Sequence, residues 1–311
     1  MIKPIKITDA KAFGRVAVLM GGMASERDIS LRSGQAVLQA LCQQQVDAVA
    51  VDIGDNPLTA LHNHSFDRAF NCVHGRGGED GILPALLELL QLPYTGSGVL
   101  ASALAMDKLK TKLCWRGQNL PTPAWIKIDS SDQLSDCIQQ LGLPLMVKPA
   151  SEGSSIGMNK AHTLQELYQA VVEAQRYGSE VYVEQWVHGD EYTVGILDGL
   201  ALPVIRLQTD QPFYDYVAKY QASTTQYHCP CGLSIVEEQR LQKLALIAAN
   251  TLGVKGWGRV DVFIDQQNQA QLIEVNTVPG MTDHSLVPMA AAKAGIDFGE
   301  LVWRILETSF N

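Results

Sequence analysis

Two runs near the carboxyl end constrain this chain most. Gly256-Trp257-Gly258-Arg259-Val260-Asp261-Val262-Phe263-Ile264 and Leu272-Ile273-Glu274-Val275-Asn276-Thr277 each alternate, as a strand half-facing a core does. Between them, Asp265-Gln266-Gln267-Asn268-Gln269 is polar and turn-prone, which predicts a β-hairpin. Residues two apart in a strand share a face. Arg259 and Asp261 therefore stand together, and the partner strand presents Glu274 and Asn276. Two carboxylates and an amide oxygen suit Mg²⁺ completed by substrate phosphates. The guanidinium makes the patch a place to stabilise a phosphoryl group in transfer.

The chain before the hairpin sorts into parts. Val16-Ala17-Val18-Leu19-Met20, Val46 to Ile53 and Ala69-Phe70-Asn71-Cys72-Val73 are predicted strands, and helical patterns cover about Ile29 to Leu41 and Leu83 to Leu90. Strands alternating with helices imply a parallel sheet with crossovers, so residues 1–108 are expected to form an N-terminal α/β domain. A helix from Met106-Asp107-Lys108 gives way at Gly117 to the breaker-rich Leu120-Pro121-Thr122-Pro123. A smaller central domain is expected over 109–190, with a strand Leu145-Met146-Val147-Lys148, an amphipathic helix from Leu164 to Gln175 and a strand from Val181 to Val187. Residues 191–311 read as a third domain: a strand from Tyr192 to Leu197, a polar aromatic stretch from Asp210 to Thr225, a helix from Val236 to Leu252, the hairpin and a terminal helix.

Composition excludes several function classes. A net charge of −9 without any Lys/Arg-rich run argues against nucleic acid as a partner. No apolar stretch has the length of a membrane span, and the start of the chain lacks the apolar run of a signal peptide. Six cysteines scattered at 42, 72, 114, 137, 229 and 231 fit a reducing cytosol better than a disulfide framework. A cytoplasmic protein is expected. Cys229-Pro230-Cys231 reads as loop rather than metal site, because no second pair completes a tetrahedron.

Several loops carry chemistry, each with a plainer alternative. Pro149-Ala150-Ser151-Glu152-Gly153-Ser154-Ser155-Ile156-Gly157 follows the strand ending in Lys148. Small residues let backbone N–H groups approach a phosphate while the lysine supplies a point charge. The P-loop spacing is absent, and an ordinary Gly/Ser loop is the alternative. Glu184 to Val187, followed by Glu191, could wall an adenine and hold a ribose, or the two acids are solvated at strand ends. Gly21-Gly22-Met23-Ala24-Ser25-Glu26-Arg27 joins the first strand to the first helix, where ligands bind parallel sheets. Glu26 there suits a substrate ammonium or complements the helix dipole. Without Gly-x-Gly-x-x-Gly the run is no dinucleotide fingerprint, so a dehydrogenase is disfavoured. His74 lies in a glycine-rich loop at a strand end. Phe213-Tyr214-Asp215-Tyr216 with Lys219-Tyr220 reads as a lid or as a packed surface loop.

Together and in order, these segments resemble the D-alanine–D-alanine ligases of the ATP-grasp superfamily. The runs that carry the resemblance begin with Gly21-Gly22 through Glu26-Arg27, His74-Gly75-Arg76-Gly77-Gly78-Glu79-Asp80-Gly81 and Pro93-Tyr94-Thr95-Gly96-Ser97-Gly98. Met106-Asp107-Lys108, Lys148-Pro149 with Glu152-Gly153-Ser154-Ser155, and Phe213-Tyr214-Asp215-Tyr216 with Lys219-Tyr220 continue it. Gly256-Trp257-Gly258-Arg259 with Asp261, Glu274 to Pro279-Gly280-Met281-Thr282, and His284-Ser285-Leu286-Val287-Pro288 complete it. The resemblance implies a three-domain ATP-grasp architecture, α/β and α+β: a Rossmann-like parallel-sheet domain followed by two ATP-clamping domains.

It also implies an activity and roles. ATP would phosphorylate the carboxylate of one D-alanine, and the amine of a second would displace phosphate from the acyl phosphate, for peptidoglycan precursor synthesis. By resemblance, Lys108 and Lys148 hold ATP phosphates under the Ser/Gly loop, and Ser155 and the lid's Lys219 also bind ATP; Glu184, Trp186 and Val187 line the adenine; and Glu191 takes the ribose. Asp261, Glu274 and Asn276 bind two Mg²⁺ ions, with Mn²⁺ as a substitute. Glu26 takes the first ammonium, Arg259 and the Gly280 backbone stabilise the tetrahedral intermediate, and Ser285 and Leu286 hold the second D-alanine near His74. Tyr220 bonds toward Ser154 and Glu26, and a tyrosine rather than phenylalanine there implies an amine acceptor. A homodimer is implied.

Three departures stand out. Gln185 occupies a position where the family commonly has Lys, Val278 replaces a common Ser, and the first ~13 residues extend beyond the match. The alternatives are a D-alanine–D-lactate or D-alanine–D-serine ligase, and a non-catalytic ATP-binding protein of the same fold. The complete set Arg259, Asp261, Glu274 and Asn276 weighs against the last.

Overall fold

The computed structural model describes residues 6–62, 65–153, 155–178, 180–209 and 225–310. Its first part alternates strand and helix as the apolar runs require. Strand β1 (Arg15–Met20) leads to α1 (Arg27–Gln43), β2 (Asp47–Asp52), α2 (Pro57–His62) and β3 (Arg68–Asn71). The three strands are parallel in the order β2-β1-β3, and Val16 to Leu19 on the central strand are completely buried. A strand covered on both faces needs such a continuous apolar run. Helices α3 (Ile82–Leu89), α4 (Val99–Met106) and α5 (Lys108–Gly117) follow. The carboxyl ends of β1 and β3 release the loops that carry Glu26 and His74.

The middle part is an antiparallel sheet of β4 (Trp125–Ile128), β5 (Leu145–Pro149), β6 (Asn159–Ala161) and β7 (Val181–Gln185), ordered β4-β7-β5-β6. Helices α6 (Leu134–Leu141) and α7 (Leu164–Ala174) cover one face over Leu145, Val147, Val181 and Val183. Thr163 starts α7 by accepting from the Glu166 N–H, an N-cap of the usual kind. By the two-residue period, Met146 and Lys148 on β5 and Tyr182 and Glu184 on β7 share the opposite face. The predicted strand from Val181 to Val187 stops at Gln185. Trp186 and Val187 instead connect it to the next sheet.

That third sheet is antiparallel: β8 (Gly189–Leu197), β9 (Leu200–Ala201), β10 (Ile205–Gln208) and β11 (Gln226–His228), then α8 (Ile235–Leu252), β12 (Trp257–Asp265) and β13 (Ala270–Asn276). The order is β11-β10-β8-β12-β13, with β9 beside β8. Helix α8, opened by a capping box between Ser234 and Glu237, packs beneath Val194, Ile196, Val260, Val262, Leu272 and Val275. Helices α9 (Leu286–Lys293) and α10 (Phe298–Glu307) close the chain.

Two contacts bind these parts together. Trp115 of α5 inserts into the core beneath the third sheet and donates its indole N–H to the Ala248 carbonyl at 3.0 Å. The segment at residues 6–13 straps the last helix to the first sheet. Glu307 accepts from the Lys6 and Ile7 N–H groups at 2.7 and 2.6 Å, Trp303 donates to the Ile7 carbonyl, and buried Phe13 meets the Trp303 ring edge-on.

Candidate active site

The predicted hairpin forms, and its register sets Arg259 opposite Asn276 and Asp261 opposite Glu274. A bulge between these pairs and Val262–Leu272 adds one residue, Ile273. Strict alternation would put Leu272 on the same face as Glu274. The extra residue turns Leu272 to the core beside Val275 and leaves Glu274 and Asn276 on the polar face. Asp261, 5% exposed, accepts a two-pronged contact from Arg259 at 2.8 and 2.7 Å, and its Oδ1 also takes the Thr193 hydroxyl at 2.6 Å. The Asn276 amide donates to Asp261 Oδ2 at 3.2 Å. Among the described residues no three of His, Cys, Asp and Glu gather as a metal cluster. Two carboxylates and an amide are nonetheless the donor set with which Mg²⁺ retains water and takes up phosphates, and all three residues lie together here. The donor set fits the ion.

Two lysines approach from α5 and the middle sheet. Lys108 Nζ donates to the Glu152 carbonyl at 2.6 Å and lies 3.4 Å from Glu274 Oε2, so it joins the Ser/Gly loop to the hairpin. Lys148 pairs with Glu184 across the buried face of β5 and β7. Glu184 is not a solvated strand-end acid: it is buried, and its second oxygen meets Lys112 Nζ at 2.8 Å. Burial pushes the Glu184 carboxyl up, but the charges of Lys112 and Lys148 outweigh burial and hold it below its ordinary value. Trp186 lies beneath the Lys160 ammonium, 3.8 Å from ring centre to Nζ. Val187 is half-buried in the same connection; Glu191, also half-buried, pairs in register with Phe263. Ser155 makes a turn of positive φ in the Ser/Gly loop. Ser154, Lys219 and Tyr220, with the rest of the expected lid from 210 to 224, lie outside the described residues.

The opposite end collects amino-acid-binding chemistry. Glu26 is buried at the start of α1, accepts from the Ser25 hydroxyl at 2.8 Å, and lies between the backbones of two glycine loops. A Cβ on Gly75 would stand 2.7 Å from Glu26 Oε2, and one on Gly153 would stand 2.5 Å from Oε1. At Gly75, with a φ of +70° and an added Cβ 2.7 Å from Ala24 Cβ, glycine is required; at Gly153 a side chain would push the Glu26 carboxylate aside. His74 Nδ1–H donates to the Val278 carbonyl at 2.8 Å, so Nε2 accepts the Ser33 hydroxyl at 3.3 Å. Burial drives the His74 imidazole down to about 4, which keeps it neutral near pH 7. Ser33 in turn accepts the Met281 N–H at 3.1 Å. Glu79 accepts the N–H groups of Gly75 at 2.6 Å and Val278 at 3.3 Å, and burial raises its carboxyl to about 7. The peptide of Val278 clasps His74 and Glu79, while its side chain, 4% exposed, packs in the core. The Ser285 hydroxyl accepts the Thr282 N–H at 2.9 Å. Leu286 is buried in the first turn of α9.

A cavity of about 1280 Å³ unites these groups. Glu26, His74, Lys108, Gly153, Arg259, Glu274, Asn276, Gly280, Ser285 and Leu286 line it, with Glu79. Asp261 stands one layer behind, bonded to Arg259 and Asn276. Lys148, Glu184, Trp186, Val187, Glu191 and Ser155 lie off this lining, on and beyond the middle sheet. Sequence reasoning missed Lys112, Glu79 and Thr193. A signal existed for Lys112: it shares the buried face of α5 with Leu109 and Trp115, where a charge needs a partner. Glu79 and Thr193 carried no such signal.

Comparison with known proteins finds relatives in both sequence and structure. Residues 115–307 match the family model described as the D-ala D-ala ligase C-terminus. A D-alanine–D-alanine ligase of Methylococcus capsulatus is 60% identical over 98% of this chain and 99% of its own length. A crystal structure of a D-alanine–D-alanine ligase from Bacillus anthracis superposes with a TM-score of 0.86 at 34% identity, covering 95% of this chain and 97% of that one. The same organism's ligase complexed with ATP superposes at 0.85, with 31% identity over 95% of this chain and 97% of that one. The matched length includes the hairpin, both lysines and the Glu26 loop, and the chain belongs to the D-alanine–D-alanine ligase family of ATP-grasp fold.

Proposed function

We infer that this protein is an ADP-forming ligase that joins two D-alanines at the expense of ATP, a step in making peptidoglycan precursors. The observation that carries the reading is the single cavity that sets Glu26 and Ser285 against the Arg259, Glu274 and Asn276 face. One end suits an amino acid and the other a phosphoryl group.

Glu26 receives the ammonium of the first D-alanine, whose carboxylate then points toward Arg259. The ATP γ-phosphoryl group is transferred to that carboxylate: the new bond is carboxyl oxygen to phosphorus, the broken one is phosphorus to the β,γ-bridging oxygen, and ADP leaves. Asp261, Glu274 and Asn276 would hold Mg²⁺, which when bound neutralises phosphate charge. Lys108 and Lys148 bind phosphates beneath the Ser/Gly loop with Ser155 and Lys219. Glu184, Trp186 and Val187 take the adenine, and Glu191 the ribose. The second D-alanine docks its carboxylate on Ser285 and the Leu286 N–H at the start of α9, a helix end that favours anions. Its ammonium gives a proton to solvent and the amine attacks the acyl carbon; Arg259 and the Gly280 N–H stabilise the tetrahedral oxygen, the C–O bond to phosphate breaks, and the departing phosphate takes the second nitrogen proton. Neutral His74 lines this end without competing for the acceptor carboxylate as a cation.

The finer points belong to the same reading. The sheets support three domains near 1–108, 109–190 and 191–311, with α5 packing on the last. Free thiols and the absence, among the described residues, of a helix long and apolar enough to cross a membrane agree with a cytoplasmic enzyme. Two copies would pair; exposed Leu89 and Leu100 on the adjoining α3 and α4 offer apolar surface for this. A D-alanyl ester product is the second reading, disfavoured by Tyr220; D-serine, an amine acceptor like D-alanine, is the third, and that residue does not separate the two. Replacing Tyr220 with Phe is expected to raise ester formation relative to peptide, read by chromatography of products from mixed D-alanine and D-lactate; an unchanged ratio rejects that specificity argument. The deciding assay for the ligase itself is phosphate release with D-alanine, L-alanine and D-lactate, each with and without Mg²⁺. Release that needs both D-alanine and Mg²⁺ is expected, and release indifferent to D-alanine would overturn the assignment.

A further inference from the structure

Lys112 is a completely buried lysine that the reaction above does not use. Its ammonium contacts Glu184 Oε2 at 2.8 Å and the Thr122 hydroxyl at 2.6 Å. Thr122 in turn donates to the Leu272 carbonyl on β13 at 2.9 Å. The helix carrying Lys112 is pinned on both sides of it, by the Lys108 N–H on the Ala150 carbonyl at 2.8 Å and by the Trp115 indole on Ala248 at 3.0 Å. Lys112 is thereby held in the interior on Glu184 and Thr122. Lys148 differs: it lies one residue from the end of the strand that runs into the Ser/Gly loop, and it pairs with the other oxygen of Glu184.

One ammonium cannot fully serve both a carboxylate and a triphosphate. Without Lys112, recruitment of Lys148 by phosphates would leave Glu184 a buried carboxylate with no counter-ion, a state that strongly favours protonation or collapse. A protonated Glu184 changes what it recognises. The carboxylate only accepts hydrogen bonds, whereas the acid also donates. An acceptor suits the exocyclic amine of adenine and repels the O6 acceptor of guanine.

Resting on the ligase reading and on Glu184 facing the base, we propose that Lys112 is a positioning residue: the standing counter-ion that keeps Glu184 an oriented acceptor, releases Lys148 to the phosphates, and so sets the preference for an adenine nucleotide. The bland alternative is that Lys112 only ties α5 to the sheets.

The test measures ATP and GTP binding by calorimetry, and steady-state kinetics with D-alanine, for wild type, Lys112→Met, Glu184→Gln and the double variant. Lys112→Met is expected to raise KM and Kd for ATP at least about tenfold and to shrink the ATP-over-GTP preference by a similar factor, about one tenfold step in the equilibrium constant. KM for D-alanine should stay within about twofold. In the Glu184→Gln background, adding Lys112→Met should change ATP affinity by less than about twofold, because the charge it serves is gone. Unchanged ATP affinity in Lys112→Met, a parallel rise in the D-alanine KM, or a further tenfold loss in the double variant would each overturn the proposal. If Lys112→Met does not fold, the double variant against Glu184→Gln still decides, since removing both charges of a buried pair is better tolerated than removing one. Wild type that binds ATP but releases no phosphate with D-alanine would sink the ligase reading, while the ATP and GTP binding arms would still judge Lys112.

Discussion

Asp261 is the most heavily bonded carboxylate on the hairpin, taking Arg259 on both oxygens, Thr193 on one and Asn276 on the other. Its neighbour Glu274 lies closer to the cavity and to Lys108. Removing charge from Glu274 should therefore strike function rather than fold. Glu274→Gln is expected to cut turnover on the order of 100-fold or more, since even groups that only orient a metal ligand are worth 10–100-fold. Its thermal midpoint should stay near wild type; near-normal turnover would contradict the metal assignment. His74 makes a prediction about pH. Its folded value of about 4 lies below the ordinary 6.5, so the unfolded chain binds the extra proton between those values. Stability from this group is present above pH 6.5 and is lost as pH falls toward 4. From pH 6.5 to 5.5 the loss is about 1 kcal/mol. Denaturant titrations of wild type and His74→Gln should show that the variant loses correspondingly less over this interval; parallel curves would argue against a neutral, buried imidazole.

At the scale of elements, a single added residue decides the chemistry of the hairpin. Without the bulge at Ile273, Leu272 and Glu274 would compete for one face. The sequence shows the alternation but not the bulge, because a bulge is a mismatch between two strands and belongs to neither alone. The strand predicted to Val187 ends two residues early for a related reason: Trp186 and Val187 leave the middle sheet to begin the turn into β8. Short elements such as β4 and α6 escaped notice, since four to eight residues scarcely establish a period. The amino-terminal strap is another non-local element. Glu307 holds two backbone N–H groups, bonds to a charged group that are each worth about 1.5–3 kcal/mol. Glu307→Ala should lower stability by about 2 kcal/mol, measured by chemical denaturation, with turnover of the folded enzyme unchanged. A loss below a few tenths would mean the strap contributes little.

Across the whole molecule, the proposed site draws on three sheets. The parallel sheet supplies Glu26 and His74 from its strand ends, the middle sheet Lys148 and Glu184, and the third sheet Arg259, Asp261, Glu274 and Asn276. A ligand that touches all three should stabilise them together. With Mg²⁺ and ATP at about 100 times the dissociation constant, a gain of about 2.7 kcal/mol is expected. One cooperative calorimetric transition should move upward as a unit. A shift confined to part of a split transition would mean that the nucleotide joins fewer parts than the geometry implies.

By itself the sequence determined the periodic features: the parallel-sheet domain, the helix Ile235–Leu252 to within a residue, and the shared face of Arg259, Asp261, Glu274 and Asn276. These are local, because strand and helix periods dictate which side chains point the same way. Ordered motifs also carried the family. Tertiary structure alone decided that Lys112 meets Glu184, that Thr193 braces Asp261, and that the peptide of Val278 joins His74 to Glu79. Each of those pairs spans tens to hundreds of residues. Such contacts follow from how buried polar groups find partners once the sheets have packed, and no local pattern encodes the partner's position.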